Sequence, residues 1–377
     1  LYILFPITCH NLPTALVAVI LMKDTTVEVT VLRQVHVVSS NNIIIISHCD
    51  SDPATDFYYY ILFDRQSPLM SHGERTPSEQ ELEMLGAEPP DHVFSPYGAG
   101  ALTNEGKMLT FEMGALLRKR YNEFLGPLYD FVDAIQQTFM VNLIIKKLLF
   151  QLLYEENCPR YKLEKQRILD AFVDEGFLVP YRDLFNKIAQ MTNTNFSTPQ
   201  DAFLMSNLFI IQDDIKVANP KWAKHVKRKL MDIARLEYSM MFHNNLLRKL
   251  SGGALLQQII KEAGSNTLDP GSARVIVRTG TPVSVSALLS ACVAPPPRLP
   301  DPGVAILFEL HERLPSEGQE KTKLTDDQRF GFKIYYWDDD SAEPRLMEVP
   351  GCTDFCPLET FKQLTKYTFL KHKDGEF

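Results

Sequence analysis

At 377 residues, with 45% hydrophobic and 10% aromatic side chains, the chain is long enough to bury one large or two medium cores. Its 47 acidic and 39 basic side chains leave a formal charge of -8. That balance argues against nucleic acid as the main partner, because a phosphate backbone needs a basic face. A small anionic ligand is compatible with it only where positive groups are gathered locally.

The first sixty residues read apart from the rest. Leu12 to Met22 is an apolar run of signal-peptide size without a basic flank. It is too short to cross a bilayer as a helix, so no stable membrane span is expected. The first residue is Leu1 rather than Met, as in a fragment or a processed product. Thr25 to Val38 alternates with β-branched residues, Ser39 to Asn42 is a turn cluster, and Ile43 to Ile46 is a second strand candidate. A hairpin and a poorly integrated extension both fit this region.

Tyr58 to Phe63 is a strand candidate ahead of the heptapeptide Ser71-His72-Gly73-Glu74-Arg75-Thr76-Pro77. This short loop gathers an imidazole that can attack phosphorus, a guanidinium that can fork two phosphate oxygens, and a glycine that permits close backbone approach. Ligands in α/β proteins bind at the C-terminal ends of strands, where such a loop would sit.

Thr103 then caps a helix whose buried stripe is Met108, Phe111, Leu116, Leu117, Tyr121 and Phe124, ended by Gly126-Pro127. Helices are expected over Phe131–Leu153, Tyr161–Phe172, Pro180–Met191, Pro199–Ile211 and Lys221–Leu250, with Ser251-Gly252-Gly253 breaking the run before Ala254–Ala263. Strands follow at Arg274–Val277, Val304–Leu310 and Gly331–Trp337. Strands at both ends with helices between them predict an α/β fold, a mixed sheet flanked by helices with an inserted helical cap. The core is assigned to residues 61–130 and 263–377, the cap to 131–262, and an atypical extension to 1–60.

Lys221, Lys224, Lys227, Arg228 and Lys229 recur at roughly helical spacing with one aromatic among them, which reads as a solvated helix face rather than a nucleic-acid site. His225 and His243 have no partners at ligand spacing, and the six cysteines show no paired CxxC, so no metal and no cofactor are expected. Cys352 and Cys356, bracketed by Gly351 and Pro357, fit either a small disulfide loop or two free thiols. Asn195-Phe196-Ser197 is an N-glycosylation acceptor, which favours secretion over a cytosolic location.

Several segments carry a family resemblance. Ser71–Pro77 resembles the Arg-His-Gly-x-Arg-x-Pro signature of the histidine acid phosphatases, with Ser71 at the leading arginine. LTNEGKMLTFEMGALLRKRYNEFL (Leu102–Leu125) is similar to the helix that follows the signature. Leu250–Leu256 (LSGGALL) resembles the segment closing the helical domain, and Phe308-Glu309-Leu310-His311 a late strand of the sheet. Pro350 to Leu358 resembles the family's C-terminal disulfide and the helix after it. The match covers roughly residues 66–365 and is nearest to insect venom-type acid phosphatases.

The resemblance implies a phosphoglycerate-mutase-like fold and a secreted or lysosomal phosphomonoesterase acting through a phosphohistidine. His72 would be the nucleophile, Arg75 a phosphate clamp, and Cys352–Cys356 a disulfide. The ligand would be a small phosphate monoester or inorganic phosphate. Relatives of this kind are often homodimers, although no self-association face is read in this sequence.

The chain departs from the family in three places. Ser71 replaces an arginine. No arginine occurs between Arg120 and Arg160, where the family carries another clamp. Thr281 and Pro282 fall where a His-Asp pair is expected, just before Ser286-Ala287-Leu288-Leu289. Arg278, at a strand end, is a substitute phosphate ligand or a solvated charge. Glu74 is a candidate proton donor, and His311 with Glu312 a weaker one that more simply reads as surface residues. These departures predict impaired activity, with a catalytically silent secreted anion-binding or interaction protein as the competing reading.

Overall fold

A computed structural model describes residues 4–7, 16–23, 26–31, 34–35, 63–86, 93–125, 136–138, 158–264, 275–292, 301–313, 329–338 and 341–370. Strands β1 (Leu4–Ile7), β2 (Leu16–Lys23), β3 (Thr26–Val31) and β4 (Gln34–Val35) form an antiparallel meander. A hairpin is present in this region, but earlier than expected: Lys23 stands opposite Thr26 and Ala18 opposite Val31. The apolar run of signal-peptide size is therefore largely a strand, as its β-branched residues allow. Ile43–Ile46 lies outside the described residues.

The main sheet is built from β5 (Phe63–Ser71), β6 (Gln136–Thr138), β7 (Ile276–Gly280), β8 (Ala305–Glu312), β9 (Phe330–Trp337), β10 (Arg345–Met347) and β11 (Cys356–Pro357). Its order is β10-β9-β8-β5-β7-β6, with β11 also on β9. β5, β7 and β6 run parallel, while β8 is antiparallel to β5 and to β9. The strand before the heptapeptide starts at Phe63, where the expected one ended, and residues 58–62 lie outside the described ones. β6 falls within the stretch expected to be helical from Phe131 to Leu153; the rest of that stretch is outside the described residues.

The helices are α1 (Glu79–Glu83), α2 (Asn104–Arg120), α3 (Asn122–Leu125), α4 (Pro159–Asp174), α5 (Arg182–Thr192), α6 (Pro199–Asp214), α7 (Ala223–Met241), α8 (Asn245–Arg248), α9 (Ala254–Gly264), α10 (Pro282–Cys292) and α11 (Leu358–Thr365). Their ends follow from local chemistry. Thr198 and Asp201 form a capping box ahead of α6, with Pro199 at the first turn, and Asn193 closes α5 in the left-handed conformation. The expected helix Lys221–Leu250 is interrupted at Phe242, and Asn244 caps α8 by accepting from the Leu247 amide at 3.0 Å. Ser251-Gly252-Gly253 does not break the chain's helical path. It belongs to a π-helical turn, Lys249–Gly253, that leads into α9. A Cβ on Gly252 would stand 2.1 Å from the Ala287 carbonyl oxygen, so glycine is what lets this turn lie against α10.

Strand β8 reads AILFELHE and is buried from Ala305 to His311, which requires cover on both faces. Successive side chains point to opposite faces. Ile306, Phe308 and Leu310 pack with α9, α10 and α11, while Ala305 and Leu307 pack with Met113 and Leu117 of α2 and with Tyr121 just after it. A second apolar cluster joins Leu82 of α1 to α5, α6 and α7. Helix α2 therefore sits on one face of the sheet, starting beside the end of β5.

Candidate active site

His72 is fixed by the ends of three strands. The Ser71 amide donates to Val304 at 2.8 Å, the His72 amide to Gly280 at 3.2 Å, and the His72 carbonyl accepts from the Gly303 amide at 2.9 Å. The residues after it are laced to the start of α2: Thr76 donates to Ala101, and Thr103 donates to Glu74. Thr103 caps α2 by accepting from the Gly106 amide at 3.0 Å. The seam is tight enough to need two glycines. A Cβ on Gly73 would meet the Gly106 carbonyl oxygen at 2.1 Å, and a Cβ on Gly106 would meet the Glu74 carbonyl oxygen at 1.9 Å.

Helix α10 starts immediately after Gly280. Thr281 and Ser284 cap it reciprocally, each side chain accepting from the other's amide, at 3.1 and 3.3 Å. Two helix N-termini, of α2 and α10, therefore adjoin the His72 loop, and each contributes partial positive charge suited to an anion. Thr281 and Pro282 serve this start of α10, and neither side chain is a proton donor in the acidic or neutral range.

The His72 Nδ1 atom lies 2.8 Å from the Gly73 carbonyl, which can only accept, so Nδ1 carries the proton and Nε2 keeps its lone pair. Burial is the main influence lowering the His72 pKa; Arg75 lowers it further, while the Gly73 carbonyl and Glu81 oppose the shift. The lowered pKa favours the neutral, nucleophilic form of the ring. NMR titration of the His72 ring is expected to give a midpoint below the ordinary value of about 6.5. A depressed folded pKa means stability is lost as pH falls from the unfolded value toward the folded one. A midpoint at or above the ordinary value would contradict the neutral-ring assignment.

Arg75 is held end-on by a carboxylate. Its Nη1 donates to Glu81 Oε2 at 2.7 Å and to the Thr76 carbonyl at 2.9 Å, and its Nη2 donates to Glu81 Oε1 at 2.8 Å. The Nε–H and the second Nη2–H, which form the other edge of the fork, have no partner among the described residues. Glu81 is buried, where desolvation alone would raise its pKa; hydrogen bonding and charge from Arg75, with help from Ser78, bring it below the usual range. Sequence reading passed over Glu81. Ser78-x-x-Glu81 is a capping box for α1, and that local pattern was the available signal.

Arg278 is not an exposed strand-end charge. It lies inside β7 opposite Leu69, 1% exposed, and its Nη2 donates to both Glu262 oxygens at 2.8 and 2.6 Å. Leu69 belongs to the face packed on α9 and α10, so the guanidinium is committed to the core on that side. Glu74 accepts from Thr103 Oγ1 at 2.7 Å. Nearby, burial and the charges of Glu74, Asp213 and Asp301 raise the Asp214 pKa against the pull of Lys227.

His311 is a correction. It is 4% exposed, with Nε2 at 3.1 Å from buried Glu309, and it pairs in register with Phe63 at the start of β5. Eight residues of strand, roughly 26 Å at about 3.3 Å each, separate that end from Ser71. Glu312 pairs with Arg329 at the same end. Neither can protonate a leaving group at His72. No group of three metal-ligating side chains occurs among the described residues. Cys352 and Cys356 form a disulfide, Cys158 and Cys292 are buried free thiols, and Asn195 is exposed between α5 and α6.

The mixed sheet with helices on both faces, and a histidine loop at the end of its central strand, define a phosphoglycerate-mutase-like α/β protein. The fold resembles solved phytases: Hafnia alvei phytase in its apo form (TM-score 0.57, 15% identity, 85% of this chain and 98% of that one) and Klebsiella sp. ASR1 phytase (TM-score 0.57, 11% identity, 83% and 99%). In sequence the chain is 25% identical over 335 residues to venom acid phosphatase Acph-1 of Apis mellifera, spanning 78% of this chain and 82% of the relative. Human prostatic acid phosphatase is likewise 25% identical, over 339 residues covering 78% and 83%. No family model matches the sequence. Taken with the ordered motifs, these relatives support a histidine acid phosphatase family for the chain.

Proposed function

We propose that this protein hydrolyses small phosphate monoesters slowly, through a phosphohistidine on His72. The observation that carries this reading is the His72 ring itself, its Nδ1 proton tied to Gly73 and its Nε2 lone pair retained in a neutral, buried imidazole. In the reaction Nε2 bonds to phosphorus as the bond to the leaving oxygen breaks and that oxygen takes a proton. Water then attacks the phosphohistidine and releases phosphate. The open edge of Arg75 and the N-termini of α2 and α10 stabilise the transferring group.

The rate is low because three places in the machinery lack the needed chemistry: Ser71, the stretch between Arg120 and Arg160 with no arginine, and Thr281-Pro282. Each charged hydrogen bond lost with an arginine is worth about 1.5–3 kcal/mol. A missing general acid costs roughly 10²–10⁴ in rate. The silent alternative draws on the Arg75–Glu81 pair, which occupies half of the one clamp left in the loop. We further propose that residues 131–262 act as a cap over the core. An extracytosolic location, secreted or lysosomal, is supported by the disulfide and by the exposed Asn195 acceptor.

Hydrolysis of an aryl phosphate at about pH 5, followed beside a His72→Ala variant, tests the reading. Slow turnover that vanishes in the variant is expected. Equal rates in the two proteins would reject the enzyme and leave the anion-binding reading.

A further inference from the structure

We infer that Glu81 determines which ionic form of a phosphate ester this site accepts, admitting the monoanion and disfavouring the dianion. The inference rests on the assignment of the His72 loop as a phosphate site, and it names the substrate class more narrowly.

The argument is one of charge. Within the loop, burial lowers the His72 pKa and so favours its neutral form, and Ser71 contributes no charge. Arg75 is the loop's cation, and the buried carboxylate of Glu81 lies against it through two hydrogen bonds of 2.7 and 2.8 Å. The two charges cancel locally, so an incoming phosphate meets the loop's hydrogen-bond donors without a full positive charge from the loop itself. Among the described residues, the surrounding elements add the partial positive charge of the α2 and α10 N-termini, Lys107 beside Asn104 and Tyr97, and Lys227, which is paired with Asp213. Helix α2 presents Thr103, β7 and α10 present Gly280 and Thr281, and Arg278 is spent on Glu262. Glu74 within the loop, Asp214 at the end of α6 and Asp301 before β8 are acidic neighbours of one another. A second negative charge on the ligand therefore gains little attraction and adds repulsion.

A phosphate monoester loses its second proton near pH 6, so the monoanion predominates only in mild acid. The same form suits the chemistry. As Nε2 bonds to phosphorus and the ester bond breaks, the monoanion's own proton passes to the leaving oxygen, a transfer that neither Thr281 nor Pro282 can supply.

Calorimetric titration with inorganic phosphate at about pH 5.5 and about pH 8 tests this, using the wild-type protein and Glu81→Gln. Glutamine keeps an oxygen to accept from the Ser78 amide and cap α1, and it removes the charge. The wild type is expected to bind about tenfold more tightly at the acid pH, and Glu81→Gln to bind about tenfold more tightly than wild type at pH 8. A thermal melt of the variant establishes that it is folded, and the wild-type comparison decides the question if it is not. Equal or tighter wild-type binding at pH 8, or a folded variant with an unchanged preference, overturns the inference while His72-dependent turnover can still stand. Failure of both proteins to bind phosphate at either pH overturns the inference together with the phosphate-site assignment.

Discussion

Alanine at Gly73 is expected to destabilise the fold by about 3 kcal/mol, near the upper end for overpacking, and to remove His72-dependent turnover. The new Cβ would lie 2.1 Å from the Gly106 oxygen and 2.8 Å from the Gly106 Cα, all backbone atoms that have no rotamer to escape into. Either the loop lifts off α2 or α2 shifts on the sheet. Both movements disturb the bonds that Thr76 and Thr103 make across the seam. They also displace the Gly73 carbonyl that holds the His72 ring. Gly106→Ala strains the same seam from the other side, so the two costs will not add in the double variant. Urea unfolding of the three proteins measures this. A Gly73→Ala protein within about 0.5 kcal/mol of wild type would show that the seam is looser than described.

Glu262→Ala is expected to cost about 3–5 kcal/mol, because it strands the guanidinium of Arg278 in the core. Arg278 is 1% exposed, and without Glu262 its remaining hydrogen bond among the described residues is one of 3.5 Å to the Ile276 carbonyl. Lys119–Glu343, by contrast, is a pair whose side chains are 75% and 62% exposed. Breaking it should change stability by less than about 1 kcal/mol. Replacing Arg278 and Glu262 together by methionine should recover much of the loss, since the cost lies in the unpaired charge rather than in the pair. Denaturant midpoints for the three variants distinguish a buried ion pair from a surface one. A Glu262→Ala protein as stable as the Lys119 control would exclude the core assignment of Arg278.

How far local pattern reached is clearest at particular residues. Thr103 as a cap, the strand–loop order before His72 and the apolar runs of β8 and β9 were legible, because caps and strand periodicity act within a few residues. The Arg75–Glu81 contact was half legible, since Ser78-x-x-Glu81 marks a cap but says nothing about a guanidinium beside it. Arg278 and His311 were misjudged because each is buried by the packing of other elements; Arg278 pairs with Glu262 on α9, while the partner of His311, Glu309, lies two residues away on the same strand. The strand at Gln136–Thr138 was hidden in an apolar stretch that helical and extended backbones accommodate equally well.

The sequence by itself determined the family likeness, the identity of the histidine and the residues absent around it, because those depend only on which side chains occur and in what order. The tertiary structure decided what the surviving charges do. Arg75 faces Glu81, Arg278 faces Glu262, and His72 is held neutral with one nitrogen open. Such pairings depend on burial and on distance through space, and both arise only once the strands and helices have packed.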